Sequence, residues 1–175
     1  NGFAEVNKIQ TRLPATLSAF FNALKAGDIN YPKINAAFRP LERSYLMYNA
    51  FHIAKGKLSP DKVGPYPGVN IDWVHRTEDG KMDIETSKKA AASMCDGYQL
   101  SLISAKQKVG APGSSRHNYG AAVDINIGNY LDKKIKNSAG DEVELKSFKD
   151  LVDVGRTYGV FYYPKENMHW SDTGN

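Results

Sequence analysis

Ser115-Arg116-His117-Asn118-Tyr119-Gly120-Ala121-Ala122-Val123-Asp124 places an imidazole and a carboxylate seven residues apart, with glycine and small residues between them. The stretch changes texture halfway. Its first part is polar and turn-like, whereas Ala121–Ile127 alternates well enough for a strand that carries Asp124. A carboxylate flanked by Val123 and Ile125 is costly to bury without a partner. Gly120 permits a tight backbone between the two groups, and Ala121 and Ala122 are expected to leave room beside them for a bound substrate.

Glu166-Asn167-Met168-His169-Trp170, far downstream, adds a second imidazole with a carboxylate three residues before it. Two histidines and one aspartate are the three protein ligands that a catalytic zinc needs, leaving a fourth position for water. His117, Asp124 and His169 would hold Zn2+, one per chain, and the ion lowers the pKa of its water towards about 7. Glu166 is then a spare carboxylate placed to take a proton from that water and pass it to a leaving amine. An additional cation would stabilise the developing oxyanion. Taken singly, each residue has a plainer reading: His117 as a surface histidine, Asp124 as a turn or cap, Glu166 as an exposed charge beside Lys165. His52 lies on an apolar helix and reads as a hydrogen-bonded histidine at the core edge, and His75 reads as a solvated or substrate-facing loop residue.

The whole chain agrees with this hydrolase reading. Its 175 residues suffice for one core, and 41% hydrophobic with 24% charged residues is ordinary globular composition. No apolar run approaches the roughly 20 residues of a membrane span. A start at Asn1 rather than Met implies a processed form or a fragment. One cysteine, Cys95, rules out an internal disulfide and reads as a small buried hydrophobe. The net charge of +4 comes from scattered lysines, not from the stripe or module that marks nucleic-acid binding, and it suits an anionic polymer such as a cell wall.

Helical spacing runs through residues 4–26 (Val6, Ile9, Leu13, Leu17, Phe20, Phe21, Leu24), split by Pro14 and ended by Ala26-Gly27-Asp28. Lys33–Phe38 reads as a strand, and Pro40 opens a helix over Leu41–Ala54. Residues 55–83, rich in glycine and proline, read as a long loop. Glu85–Tyr98 is helical in texture, Leu100–Ser104 reads as a strand, and Gly110–Gly113 is a turn. Tyr130–Val143 resembles a polar hairpin, Ser147–Tyr158 an amphipathic helix closed by Gly159, and Val160–Tyr163 a strand. Strands and helices without regular βαβ alternation make α+β the expected class.

The pattern Ser115-x-His117-x-x-Gly120-x-Ala122-x-Asp124 followed by Glu166-x-x-His169 resembles a family of zinc peptidases. It comprises D-Ala-D-Ala carboxypeptidases, D-Ala-D-Ala dipeptidases, and phage or bacterial L-alanyl-D-glutamate endopeptidases. The likeness runs from about Ile34 to Trp170. It implies a small α+β domain with a central, mainly antiparallel sheet flanked by helices, as in lysostaphin-type peptidases and the hedgehog signalling domain. One domain over residues 1–175 is expected, with an insertion at about 55–110.

Within Ala37-Phe38-Arg39-Pro40-Leu41-Glu42-Arg43 the resemblance makes Arg39 the residue that binds substrate or stabilises its developing charge, and its planar guanidinium suits a carboxylate. Ser115 becomes a substrate contact, the alternative being a turn cap. Glu42-Arg43 replaces a small residue and a glutamine often found there, and residues 55–110 hold no motif that aligns. That segment is expected to form a lid or docking surface with Tyr66, Trp73 and His75 as contacts.

The implied activity is hydrolysis of an amide bond in the peptide stem of bacterial peptidoglycan. The preferred form is an L-alanyl-D-glutamate endopeptidase of endolysin type, with a D-Ala-D-Ala carboxypeptidase as the alternative. The action would be at the cell wall, periplasmic or extracellular, or delivered there as a lysin or antibacterial effector. The expected partner is the stem peptide, with no nucleic acid and no membrane span, and a monomer is favoured. A non-catalytic zinc or cell-wall binding module is the rival from another class, and the retained Glu166 argues against it.

Overall fold

The computed structural model describes residues 13–174. In chain order the elements are α1 (Leu13–Ala26), β1 (Lys33–Ala36), α2 (Leu41–Ala54), a 3-10 turn (Pro60–Lys62), α3 (Ile84–Gly97), a second 3-10 turn (Arg116–Tyr119), β2 (Ala122–Asn126), β3 (Lys133–Lys136), β4 (Glu142–Leu145), α4 (Phe148–Thr157), β5 (Phe161–Tyr162) and β6 (His169–Ser171). They pack as two units. Residues up to Arg39 together with those from Arg116 onward form one, and Pro40–Ser115 forms the other.

The first unit contains all of the described strands. Its four-stranded sheet runs β1-β2-β6-β5 with each neighbouring pair antiparallel, and β3-β4 is a separate hairpin, so the α+β class holds. Alternation decides which way each strand faces. Val123 and Ile125 of β2 and Trp170 of β6 are turned into the core and are at most 2% exposed. Against them pack Leu13, Leu17, Phe20 and Leu24 of α1 and Leu151 and Val154 of α4. Pro14 splits nothing among the described residues: it is the second residue of α1, where a missing amide hydrogen costs no helical bond. The helical spacing expected at Val6 and Ile9 falls outside the described residues. Ser147 caps α4, its hydroxyl accepting from the Asp150 amide. In the last turn of α4, Gly155 lets the helix approach β6 so closely that an added Cβ would stand 2.8 Å from the Trp170 ring.

The second unit is built on α2 and α3. Tyr45, Ala50, Phe51 and Ile53 of α2 meet Ala91 and Cys95 of α3 in its core, which also takes in Trp73 and Leu100. Pro40 precedes α2 and Asp83 caps α3, its carboxylate accepting from the Thr86 amide at 2.9 Å. Cys95 is fully buried, as expected. Between the helices the chain is irregular apart from the Pro60–Lys62 turn and two isolated bridges, Tyr66 with Val69 and Arg76 with Met82.

Two expectations fail here. Leu100–Ser104 is not a strand. Its polar groups find partners outside any ladder, the Ser104 amide donating to Ser101 Oγ and the distant Lys55 Nζ to the Leu102 carbonyl, while Ile103 stands 98% exposed. Trp73 is not a surface contact either. It is 7% exposed, and its indole N–H donates to the Tyr45 hydroxyl at 3.2 Å. Tyr66 is half-buried and stacked on Tyr45, whereas His75 is exposed. No helix among the described residues is long and apolar enough to cross a membrane.

Candidate metal centre

Asp124 and His169 are directly opposed residues on the paired strands β2 and β6. Because Val123 and Trp170, one step along each strand, turn into the core, Asp124 and His169 share the other face. His117 enters from the 3-10 turn just before β2. Gly120, in the left-handed region at φ 62°, reverses the chain between them, its amide donating to the His117 carbonyl. Thus a local turn and a cross-strand register together assemble what the sequence separates by 52 residues.

Asp124 Oδ1 lies 3.2 Å from His117 Nε2 and 3.2 Å from His169 Nδ1. All three donor atoms fall within 4.8 Å of one another, the one such set of His, Cys, Asp and Glu among the described residues. The histidines are 3% and 4% exposed, and the Asp124 side chain is 24% exposed, so solvent reaches the cluster from the aspartate side. Burial pushes the Asp124 carboxyl upward, but the two imidazoles outweigh it and hold the group well below the usual carboxylate range.

The donor set fits zinc. His117 Nδ1 is 2.7 Å from the carbonyl oxygen of Ala37, which can only accept, so Nδ1 carries a hydrogen and Nε2, facing the carboxylate, is the nitrogen placed to bind a metal. Two donors on a tetrahedral ion with bonds of about 2.0–2.1 Å stand about 3.3 Å apart, close to the two 3.2 Å separations found. His169 is oriented differently. Its Nε2 is buried without a hydrogen-bond partner, and the ring is set by edge contacts with His117 and Tyr163, centroids 5.0 and 5.9 Å away.

Glu166 sits in the turn between β5 and β6. Its amide donates to the Tyr163 carbonyl and its own carbonyl accepts from the His169 amide, so the backbone is held on both sides. The carboxylate is 58% exposed, with Oε2 3.8 Å from His169 Nδ1, on the solvent side of the donors. Arg39 is half-buried. Its amide donates to the His117 carbonyl at 3.0 Å, and its carbonyl accepts from Asn118 Nδ2 at 2.9 Å. Ser115 is the residue before the His117 turn and closes the other unit. Ala121 and Ala122 do not make room for a substrate, because both are fully buried.

Three contributors are not legible in the motif: the Ala37 carbonyl, the Asn118 amide, and an ion pair between Arg116 and Asp172. The position of Arg116 and Asp172 beside the two histidine segments is the only signal the sequence offers for that pair.

A family model described as VanY, D-alanyl-D-alanine carboxypeptidase, matches residues 6–173. No curated protein matches the sequence. Two solved structures are similar at 19% identity. One is the vancomycin-resistance D,D-pentapeptidase VanY from a VanB-type cassette, a mutant in complex with Zn(II), with 93% of this chain and 71% of that one covered and a TM-score of 0.43. The other is VanYB in complex with D-alanine-D-alanine, covering 93% and 70% with a TM-score of 0.44. With the family model spanning nearly the whole chain around a buried His-Asp-His cluster, the chain is an enzyme of the VanY family of D-alanyl-D-alanine carboxypeptidases.

Proposed function

We propose that the chain is a zinc D,D-carboxypeptidase that removes the terminal D-alanine from the stem peptide of bacterial peptidoglycan. The observation that carries this reading is the His117-Asp124-His169 cluster within a chain matched from residue 6 to 173 by the carboxypeptidase family. It replaces the endopeptidase preference, which rested on size and charge alone. Zinc held by the three donors would supply Lewis-acid polarisation of the scissile carbonyl and of a water. Glu166, exposed and beside the donors, would accept the proton from the attacking water and deliver it to the departing amine.

A carboxypeptidase must also recognise a free carboxylate. Arg39 is the candidate, because its backbone is bonded to the turn that carries His117 and its guanidinium can grip two oxygens at once. Ser115 is proposed as a further substrate contact on the ground that it directly precedes that turn. The enzyme would act where peptidoglycan is exposed, outside the cytoplasm.

Mass spectrometry tests the bond. A stem pentapeptide ending in D-Ala-D-Ala should lose one alanine and give a tetrapeptide. Release of a fragment beginning at D-glutamate would reinstate the endopeptidase, and an intact pentapeptide with zinc bound would favour a binding module.

A further inference from the structure

We propose that Arg116 and Asp172 form a positioning clamp that fixes the spacing of the two metal-binding imidazoles; the proposal rests on the metal centre described above. The two residues are 56 apart in sequence, yet Arg116 Nε is 3.0 Å from Asp172 Oδ1 and Nη2 reaches both carboxylate oxygens. About a third of each side chain is exposed. Arg116 immediately precedes His117, and Asp172 follows β6, three residues past His169.

The ion pair closes a ring. The Ala121 amide donates to the Arg116 carbonyl at 3.0 Å, and the Asp172 amide donates to the Ala121 carbonyl at 3.1 Å. The Asp172 carboxylate then returns to the Arg116 guanidinium. One histidine hangs from each side of this ring. A four-residue 3-10 turn has little intrinsic stability, so His117 depends on such ties to stay in register with a strand pair that holds the other two donors. A fork of two parallel N–H groups sets direction as well as distance, which a point charge does not. The two side chains pair with each other, so their action is through position.

The test is zinc affinity of the full chain, by competition with a chromophoric chelator, for wild type, Arg116→Ala, Asp172→Ala and the double variant. Apoprotein melting and the visible spectrum of the cobalt-loaded forms are measured beside it. Each single variant should lose about 10- to 100-fold in affinity, as outer-shell changes do. The double variant should lose no more than either single one. The cobalt spectrum should change, and apoprotein melting should stay near wild type. Arg116→Lys, which keeps the charge without the fork, should recover only part of the affinity. Unchanged affinity in the single variants, or losses that add in the double, would overturn the clamp while leaving the metal centre standing. A wild-type chain that takes up no stoichiometric zinc would overturn the centre, and the clamp with it.

Discussion

His117 Nδ1 donates to the main-chain carbonyl of Ala37 across 2.7 Å, and the same ring points Nε2 at Asp124 Oδ1 across 3.2 Å. A backbone acceptor thus settles which ring nitrogen is free to bind metal. His117→Ala and Asp124→Ala should both lose stoichiometric zinc, with affinity falling beyond the about 100-fold that marks the loss of an outer-shell partner. Elemental analysis after dialysis checks this; zinc retained at one per chain in either variant would refute the ligand set. Chelation of the wild-type chain should abolish hydrolysis and lower the melting temperature, since a ligand at about 1,000 times its Kd stabilises by about 4 kcal/mol.

Glu166→Ala should separate chemistry from metal binding. The carboxylate is exposed and is not one of the three clustered donors. Zinc content should equal wild type while kcat falls about 100- to 10,000-fold, the usual contribution of a proton-transfer group. Activity within a factor of two of wild type would remove Glu166 from the mechanism.

Trp73 gives a prediction in the opposite sense. Its indole N–H donates to the Tyr45 hydroxyl, which in turn donates to the Gly64 carbonyl at 2.7 Å. Tyr45→Phe strands a buried donor and should cost about 1–3 kcal/mol in urea unfolding. KM for the stem peptide should not move, and a KM raised several-fold would restore the segment to a substrate-binding role.

Gly155→Ala pits helix propensity against packing. Alanine gains about 1 kcal/mol in an exposed helix interior. Here its Cβ would stand 2.8 Å from Trp170 Cζ3 and 3.2 Å from the Val160 carbonyl oxygen, neither of which can swing aside. Overpacking of this kind costs about 1–3 kcal/mol, so packing wins. Thermal melting should show destabilisation, and a raised melting temperature would refute the close approach.

Elements with local causes were the legible ones. Pro40 before α2, Ser147 before α4 and Gly159 after it marked helix ends within a residue or two, and alternation found β2 with Asp124 on it. The donor triad was legible because imidazole and carboxylate spacing carries chemistry. What escaped depends on partners remote in sequence. Leu100–Ser104 has strand-like composition but no neighbouring strand to pair with, and its amides turn to the Cys95 carbonyl, the Gln107 side chain and the Ser101 hydroxyl instead. Whether Trp73 faces solvent depends on Tyr45, 28 residues away. Ala121 and Ala122 look like empty space beside the ligands, but Ala122 is paired with Ser171 on the neighbouring strand and both alanines are closed off.

The order of the sheet has a consequence for when the donor set can form. β6 is the last of the described strands, yet it lies between β2 and β5, and it brings His169 opposite Asp124. Everything up to residue 168 can be synthesised while the donor set is still one imidazole short. The donor set is therefore completed only when the three residues of β6 insert between β2 and β5.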